Sequence, residues 1–120
     1  MSVSVLIVDD HAGFRSLARK VLGADDYVVV GEASDGASAI AALGVLKPEL
    51  VLLDIQLPDR DGFDVSQQLI KESPELKIVL ISSRDARDYG CRLDQSDVRG
   101  FIPKAELCAT ALTKVLATAR

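Results

Sequence analysis

Short apolar runs alternate with amphipathic segments along the whole chain, and this alternation constrains the fold more than any other feature. The runs are rich in β-branched residues and too short to be typical helices, so they predict strands. Because these strands are apolar on both faces, they favour a parallel sheet that is covered by helices on each side. The predicted strands are Val3–Val8, Tyr27–Val30, Leu50–Leu53, Ile78–Ile81 and Gly100–Ile102.

The segments between the strands carry apolar residues at helical spacing. The first places Phe14, Leu17, Ala18, Val21 and Leu22 on one face. The last does the same with Cys108, Ala111, Leu112 and Val115, which would leave the Cys108 thiol on the core side and inert.

Helix boundaries are marked by capping and breaking residues. Asp35 lies at the start of the second predicted helix, and Asp61 can cap the third, which Ser73-Pro74 ends. We interpret Asp59 and Asp64 as solvated residues near that cap.

The fourth helical segment is the weakest. The stretch Arg84–Asp97 is polar, contains Gly90, and offers only Tyr89 and Leu93 as strong apolar anchors.

Five βα units in 120 residues predict one domain, residues 1–120, with no output domain within the chain. Right-handed crossovers between parallel strands leave few topologies. The best candidate is a doubly wound α/β fold of the flavodoxin-like (βα)5 kind, with a five-stranded parallel sheet in the order 2-1-3-4-5.

Composition and charge exclude several classes of protein. A net charge of −4 argues against a domain that grips nucleic-acid phosphates directly. No apolar run approaches the length of a membrane span, and the N-terminus does not resemble a signal peptide, so we expect a cytoplasmic protein without a membrane partner. Cys91 and Cys108 form no close pair and suggest neither a disulfide nor a zinc site.

Carboxylates follow two strands that are neighbours in the predicted sheet. Asp9 and Asp10 end the first strand and Asp54 ends the third. Ligands of open α/β sheets bind outside the carboxyl ends of the strands, so the three acids should converge and repel one another unless a cation intervenes. An all-oxygen ligand set suits Mg²⁺.

Two more strands end in groups that can hold a phosphoryl group at the same rim. The fourth strand ends in Ser82-Ser83, which supplies a hydroxyl and a backbone N–H, and the fifth leads into Lys104. A metal and an ammonium group together neutralise phosphoryl charge, as phosphoryl transfer requires.

With DD after the first strand, D followed by PDRDG after the third, S after the fourth and K after the fifth, the chain resembles the receiver domain of two-component response regulators. The resemblance covers the whole chain. Its DDHAGFR opening and RGFIPK ending are most similar to receivers of the LuxR-type, or NarL-like, subfamily.

The resemblance implies a role for each site residue. Asp54 would be the phosphoacceptor, supplied by a phospho-histidine on a sensor histidine kinase. Mg²⁺ would be held by Asp10, Asp54 and the backbone carbonyl of Gln56, with Asp9 acting through a bound water. Ser82, the N–H of Ser83 and Lys104 would contact the phosphoryl group, while Ser82 and Phe101 would form the switch.

The implied protein is a phosphorylation-activated signalling switch, and an enzyme only in catalysing its own phosphorylation and dephosphorylation. Ser82 would swing towards the phosphoryl group, and Phe101 would turn from an exposed to a buried position. The surface of the fourth helix, fifth strand and fifth helix would then change and carry a homodimer or partner contacts. The switch would control a DNA-binding output domain outside this chain.

Three other functions are weighed against that one. A stand-alone receiver would act only through protein–protein contacts. A haloacid-dehalogenase-type phosphatase would need Asp-x-Asp after the first strand, whereas here Asp9 and Asp10 are adjacent. A flavodoxin-like cofactor binder would need a phosphate-cradling loop where this chain has repulsive carboxylates.

His11, at a helix entrance, is interpreted as an exposed structural residue.

Overall fold

A computed structural model of the chain describes residues 2–23, 26–84, 86–90, 92–93 and 96–118. Its centre is a five-stranded parallel sheet in the order β2-β1-β3-β4-β5, which confirms the predicted topology. The strands are β1 (Val3–Val8), β2 (Tyr27–Ala33), β3 (Leu50–Asp54), β4 (Lys77–Ser82) and β5 (Gly100–Pro103).

Helices cover both faces of this sheet and bury a separate apolar cluster on each. The α-helices are α1 (Ala12–Leu22), α2 (Gly36–Leu46), α3 (Gly62–Glu72) and the C-terminal helix (Ala109–Thr118). One cluster lies beneath α2 and α3, and the other lies beneath α1 and the C-terminal helix. The central strand β3 is buried along its whole length, because it packs into both clusters.

The strand register brings the carboxyl ends of four strands to one edge of the sheet. Val8 pairs with Leu53, so that Asp9 and Asp54, each the next residue along, lie side by side. Ser82 pairs with Pro103, which places Lys104 directly after the end of β5. The candidate site is therefore set by backbone pairing.

The helix-capping predictions are confirmed at α2 and α3. The Asp35 carboxylate accepts a hydrogen bond from the Ser38 N–H, and the Ser38 hydroxyl completes a capping box. The Asp61 carboxylate accepts one from the Asp64 N–H, and α3 ends at Glu72, directly before Ser73-Pro74, as predicted. These caps satisfy N–H groups that have no partner within the helix.

Helical periodicity predicts that Leu17 and Cys108 lie on the core faces of their helices, and both predictions are wrong. Leu17 is 52% exposed, because α1 turns Ala18 and Leu22 towards the sheet and leaves Leu17 beside that face. Cys108 is also exposed, since it precedes the C-terminal helix, where its carbonyl accepts from the Leu112 N–H. The second strand, finally, extends three residues beyond the predicted end at Val30, to Ala33.

The segment 84–97 lies partly outside the described residues. Cys91, to which the sequence assigns no role, is one of the residues outside. Within the described part, a short 3₁₀ turn spans Ala86–Asp88. The two predicted anchors, Tyr89 and Leu93, are partly buried against the cluster beneath α2 and α3. Gly90 adopts a positive φ of 56°, a conformation that glycine tolerates without steric cost.

Asp59 does more than the solvated loop residue that the sequence predicts. Its two carboxylate oxygens accept hydrogen bonds from the N–H groups of Gly36 (2.8 Å) and Ala37 (3.0 Å) at the start of α2. The Gly36 hydrogen bond, aided by that of Ala37, lowers the pKa of Asp59 below its usual value. These two hydrogen bonds connect the loop after β3 to the N-terminus of α2.

We expect Asp59→Ala to lower the melting temperature at neutral pH. Because the pKa of Asp59 is lowered in the folded state, its contribution is present above the unfolded pKa and is lost as the pH falls through the folded pKa. Thermal melts between neutral pH and about pH 3 should show the variant and wild type converging. Asp26→Ala, which removes another exposed carboxylate, is the control; a constant difference at all pH values would contradict the cap.

Candidate functional site

Two buried carboxylates and one lysine form the centre of the site. Asp9 is 0% exposed and Asp54 is 3% exposed. The Lys104 ammonium lies 2.6 Å from Asp9 Oδ2 and 3.4 Å from Asp54 Oδ2. Burial of a charge is costly unless it is paired, so this cation is what permits two adjacent acids to remain inside the fold.

The pKa values of Asp54 and Lys104 respond to this packing. Burial raises the pKa of Asp54, although the Gln56 N–H (3.1 Å) and the Lys104 charge act in the opposite direction. Burial by itself would lower the pKa of Lys104, but Asp9 and Asp54 outweigh it and raise that pKa. Lys104 is therefore a permanent cation at neutral pH.

The acids could also hold a metal ion. Carboxylate oxygens of Asp9, Asp10 and Asp54 and a ring nitrogen of His11 all lie within 4.8 Å of one another. Asp9 Oδ2 is buried and receives no hydrogen bond of good geometry from the described residues, although Lys104 is close. A buried carboxylate oxygen with spare capacity, facing two further acids, fits a hard divalent cation.

His11 is exposed, as predicted, and also contacts the acids. Its Nδ1 lies 3.2 Å from Asp9 Oδ1 and 3.1 Å from Asp10 Oδ1, while its backbone N–H donates to Asp9 Oδ1 at 2.8 Å. His11 is the residue before α1, so these contacts fix the entrance of that helix to the acids.

Two residues of α1 support the centre and were missed as site residues. The Lys104 ammonium lies over the Phe14 ring, 4.8 Å from its centroid. The Arg15 guanidinium donates to the Asp9 carbonyl at 2.5 Å and to Glu32 Oε1 at 2.8 Å. Helical periodicity marks Phe14 only as a core residue, and nothing in the local sequence links Arg15 to Asp9.

Ser82 is fully buried at the end of β4, and its neighbour Ser83 is exposed. Ser82 Oγ lies 2.5 Å from the Tyr89 hydroxyl and accepts a hydrogen bond from the Arg84 N–H at 3.0 Å. Sequence reasoning treated Tyr89 only as an apolar anchor. The structure brings its hydroxyl to the rim of the site.

The predicted exposed resting position of Phe101 is wrong. Its ring is partly buried against the apolar cluster beneath α2 and α3, because Tyr89 covers it at a centroid distance of 6.0 Å. Phe101 is therefore in direct contact with Tyr89, the residue that bonds Ser82.

The arrangement as a whole is an acidic pocket with one cation, one buried hydroxyl and exposed backbone at its rim.

The family model of the response regulator receiver domain matches residues 5–116. The chain belongs to this family. Receiver domains are in general signalling domains rather than metabolic enzymes, so this membership favours the switch over the phosphatase and the flavodoxin-like cofactor binder.

Relatives include both a short receiver and longer regulators. The chain is 32% identical over 104 residues to the chemotaxis protein CheY of Thermotoga maritima, covering 87% of each chain. It is 27% identical over 115 residues to the transcriptional regulatory protein DegU of Brevibacillus brevis, covering 95% of this chain and 48% of that protein. This receiver chain spans about half the length of the first curated relatives it matches.

A solved structure agrees with the predicted subfamily. The signal receiver domain of the response regulator NarL from Mycobacterium tuberculosis superposes with a TM-score of 0.86 at 28% identity, covering 98% of both chains. The resemblance to NarL-like receivers is confirmed.

In the part of the receiver that the structure describes, no helix has the length and apolar character needed to cross a bilayer.

Proposed function

We propose that this receiver is a phosphorylation-activated switch of a two-component system, and that a sensor histidine kinase transfers a phosphoryl group to Asp54. The observation that carries the proposal is the placement of the Asp54 carboxylate, 3.4 Å from Lys104 and within 4.8 Å of the other acids. Covalent phosphate on Asp54 after incubation with a small phosphodonor, measured by intact mass, is the test.

The other residues of the rim have complementary roles in this proposal. Lys104, already ion-paired with Asp9 and Asp54, neutralises one phosphoryl oxygen without a large movement. The Ser82 hydroxyl and the N–H of the exposed Ser83 donate to the other oxygens. Hydrogen bonds to a charged acceptor are stronger than neutral ones, so these donors favour the phosphorylated state.

The residues also fit Mg²⁺, with Asp10, Asp54 and the Gln56 carbonyl as ligands and Asp9 acting through a water. When bound, Mg²⁺ supplies charge neutralisation to the phosphoryl group. The chain's own contribution is to hold these oxygens in place: the Gln56 N–H fixes Asp54 Oδ1, and the Gln56–Asp61 bridge closes the loop that carries Gln56.

We further propose that the output surface consists of residues 84–97, β5 and the C-terminal helix. It carries homodimer or partner contacts in a cytoplasmic protein and controls DNA through an output domain outside this chain. The match to this chain covers 48% of DegU, a transcriptional regulatory protein, and this supports control through a further domain. The alternative is a stand-alone receiver that acts by protein contacts, which the coverage of 87% of CheY supports. Catalysis extends only to its own phosphorylation and dephosphorylation.

Amide hydrogen exchange tests the output surface. Beryllofluoride with Mg²⁺, which stands in for the phosphoryl group, should change protection in residues 84–116 as well as around the acids. The sequence of the segment after β4 is polar and offers few apolar anchors, which favours a change in protection there. In Ser82→Ala the change should stay near Asp54. If wild-type protection changes only around Asp9, Asp10 and Asp54, this output surface is wrong.

A further inference from the structure

The Ser82 hydroxyl is engaged away from the acids in this structure. Its oxygen lies 2.5 Å from the Tyr89 hydroxyl and accepts from the Arg84 N–H at 3.0 Å. The Asp54 carboxylate instead accepts from the Gln56 N–H and Lys104. Among the described residues, no hydrogen bond joins Ser82 to Asp54. The Ser82 hydroxyl is thus bonded to Tyr89 and to the Arg84 N–H, and not to the group that would carry the phosphoryl.

The Tyr89 ring is held in place independently of that hydrogen bond. It packs edge-on against Phe63 at a centroid distance of 5.9 Å and tilted against Phe101 at 6.0 Å. Phe63 is in turn contacted by the Arg92 guanidinium, which lies 4.3 Å from its ring centroid and pairs with the Asp61 carboxylate at 2.9 Å. Removal of the hydroxyl alone should thus leave the ring where it is.

We propose that Tyr89 is a positioning residue that opposes activation: its hydroxyl holds Ser82 in the resting orientation, and its ring passes the release of Ser82 on to Phe101. This inference rests on the proposed function and deepens it, because it names a chain-specific resistance to phosphorylation. In this proposal the single hydrogen of the Ser82 hydroxyl is donated to Tyr89 in the resting orientation, so it reaches a phosphoryl oxygen only after Ser82 turns away from Tyr89.

Tyr89→Phe should therefore bind beryllofluoride more tightly than the wild type. The resting state loses one neutral hydrogen bond while the bound state loses none, so we expect a rise of about three- to tenfold in apparent affinity at fixed Mg²⁺. The measurement is a titration followed by the melting temperature or by hydrogen exchange of residues 84–90.

Tyr27→Phe is a matched control. It removes a phenol hydroxyl that lies 2.8 Å from the Thr113 hydroxyl, in the cluster beneath α1 and the C-terminal helix, on the opposite face of the sheet. The chemical change is identical and the partner is again a side-chain hydroxyl, but Ser82 is untouched. Its affinity for beryllofluoride should equal that of the wild type.

Ser82→Ala supplies a readout that a merely structural role of Tyr89 would not move. Without the serine hydroxyl there is nothing for Tyr89 to hold, so Tyr89→Phe in the Ser82→Ala background should leave the affinity unchanged. A double-mutant cycle thus isolates the coupling of the two hydroxyls. An equal gain in both backgrounds would assign the effect to packing and overturn the proposal.

The chain's composition offers a direct spectroscopic test as well. It contains no tryptophan and only two tyrosines, so Tyr27→Phe leaves Tyr89 as the single reporter. Addition of beryllofluoride and Mg²⁺ should alter the tyrosine absorbance and fluorescence of that variant as the Ser82 hydrogen bond breaks. The change should be lost when Ser82→Ala is added.

The outcomes separate this inference from the proposed function. Failure of the wild type to bind beryllofluoride would contradict both. Binding by the wild type with equal or weaker affinity in Tyr89→Phe, or with a silent Tyr89 spectrum, would contradict the role of Tyr89 alone.

Discussion

Asp54→Asn protein is expected to gain no phosphoryl group from acetyl phosphate and Mg²⁺, whereas the wild type gains one. In the proposed reaction, a carboxylate oxygen of Asp54 attacks phosphorus, the bond between phosphorus and the acetyl oxygen breaks, and acetate leaves with the bonding pair. An amide oxygen at the same position is too weak a nucleophile for this exchange. The substitution removes the nucleophile that lies beside Lys104, so the loss should be complete within the sensitivity of intact mass measurement.

Asp64→Asn is the matched control, since it removes an exposed carboxylate of the same loop-to-helix region and should keep the full adduct. The fold of Asp54→Asn is checked by its melting temperature without Mg²⁺, which should equal or exceed that of the wild type. Because burial raises the pKa of Asp54, the charged form is disfavoured in the folded state at neutral pH, and the amide removes that cost. An adduct of equal yield on Asp54→Asn would refute the phosphoacceptor assignment.

Lys104→Gln is expected to lower the stability of the folded protein markedly and to make it depend on Mg²⁺. The substitution leaves Asp9, 0% exposed, and Asp54, 3% exposed, side by side without the Lys104 ammonium. Removal of one partner from a buried ion pair costs several kcal/mol; since Lys104 is partly accessible, we expect about 2–3 kcal/mol. For a domain of this size that corresponds to a fall in melting temperature of about 8–15 °C.

Mg²⁺ should restore much of this loss. A cation that binds the folded acids and not the unfolded chain stabilises the fold by mass action, so it should raise the melting temperature of the wild type and raise that of Lys104→Gln further. Lys114→Gln, on the exposed side of the C-terminal helix, controls for the change in net charge. A small effect of Lys104→Gln, or an Mg²⁺ response no larger than that of the wild type, would contradict this account of the acids.

The regular alternation of elements and the meeting of Asp9, Asp54 and Lys104 could be predicted from the sequence. Apolar runs identified the strands, right-handed crossovers left few topologies, and the parallel direction of the strands sends the carboxyl ends of β1, β3 and β5 to one edge. The local caps at Asp35 and Asp61 were also predictable, because a capping carboxylate bonds an N–H only three residues further along the chain.

Tertiary structure decided the features that depend on which distant group covers a given side chain. Helical periodicity grouped Leu17 with the core residues, but only the sheet beneath α1 determined that Ala18 faces inwards and Leu17 does not. Asp59 became a helix cap because α2, which begins over twenty residues earlier in the chain, packs beside its loop. Tyr89 lies outside any regular helix or strand, its hydroxyl contacts Ser82 seven residues away, and no periodic pattern encodes that contact. The sequence by itself determined which strand ends meet; only packing across the fold decided what holds each of them in place.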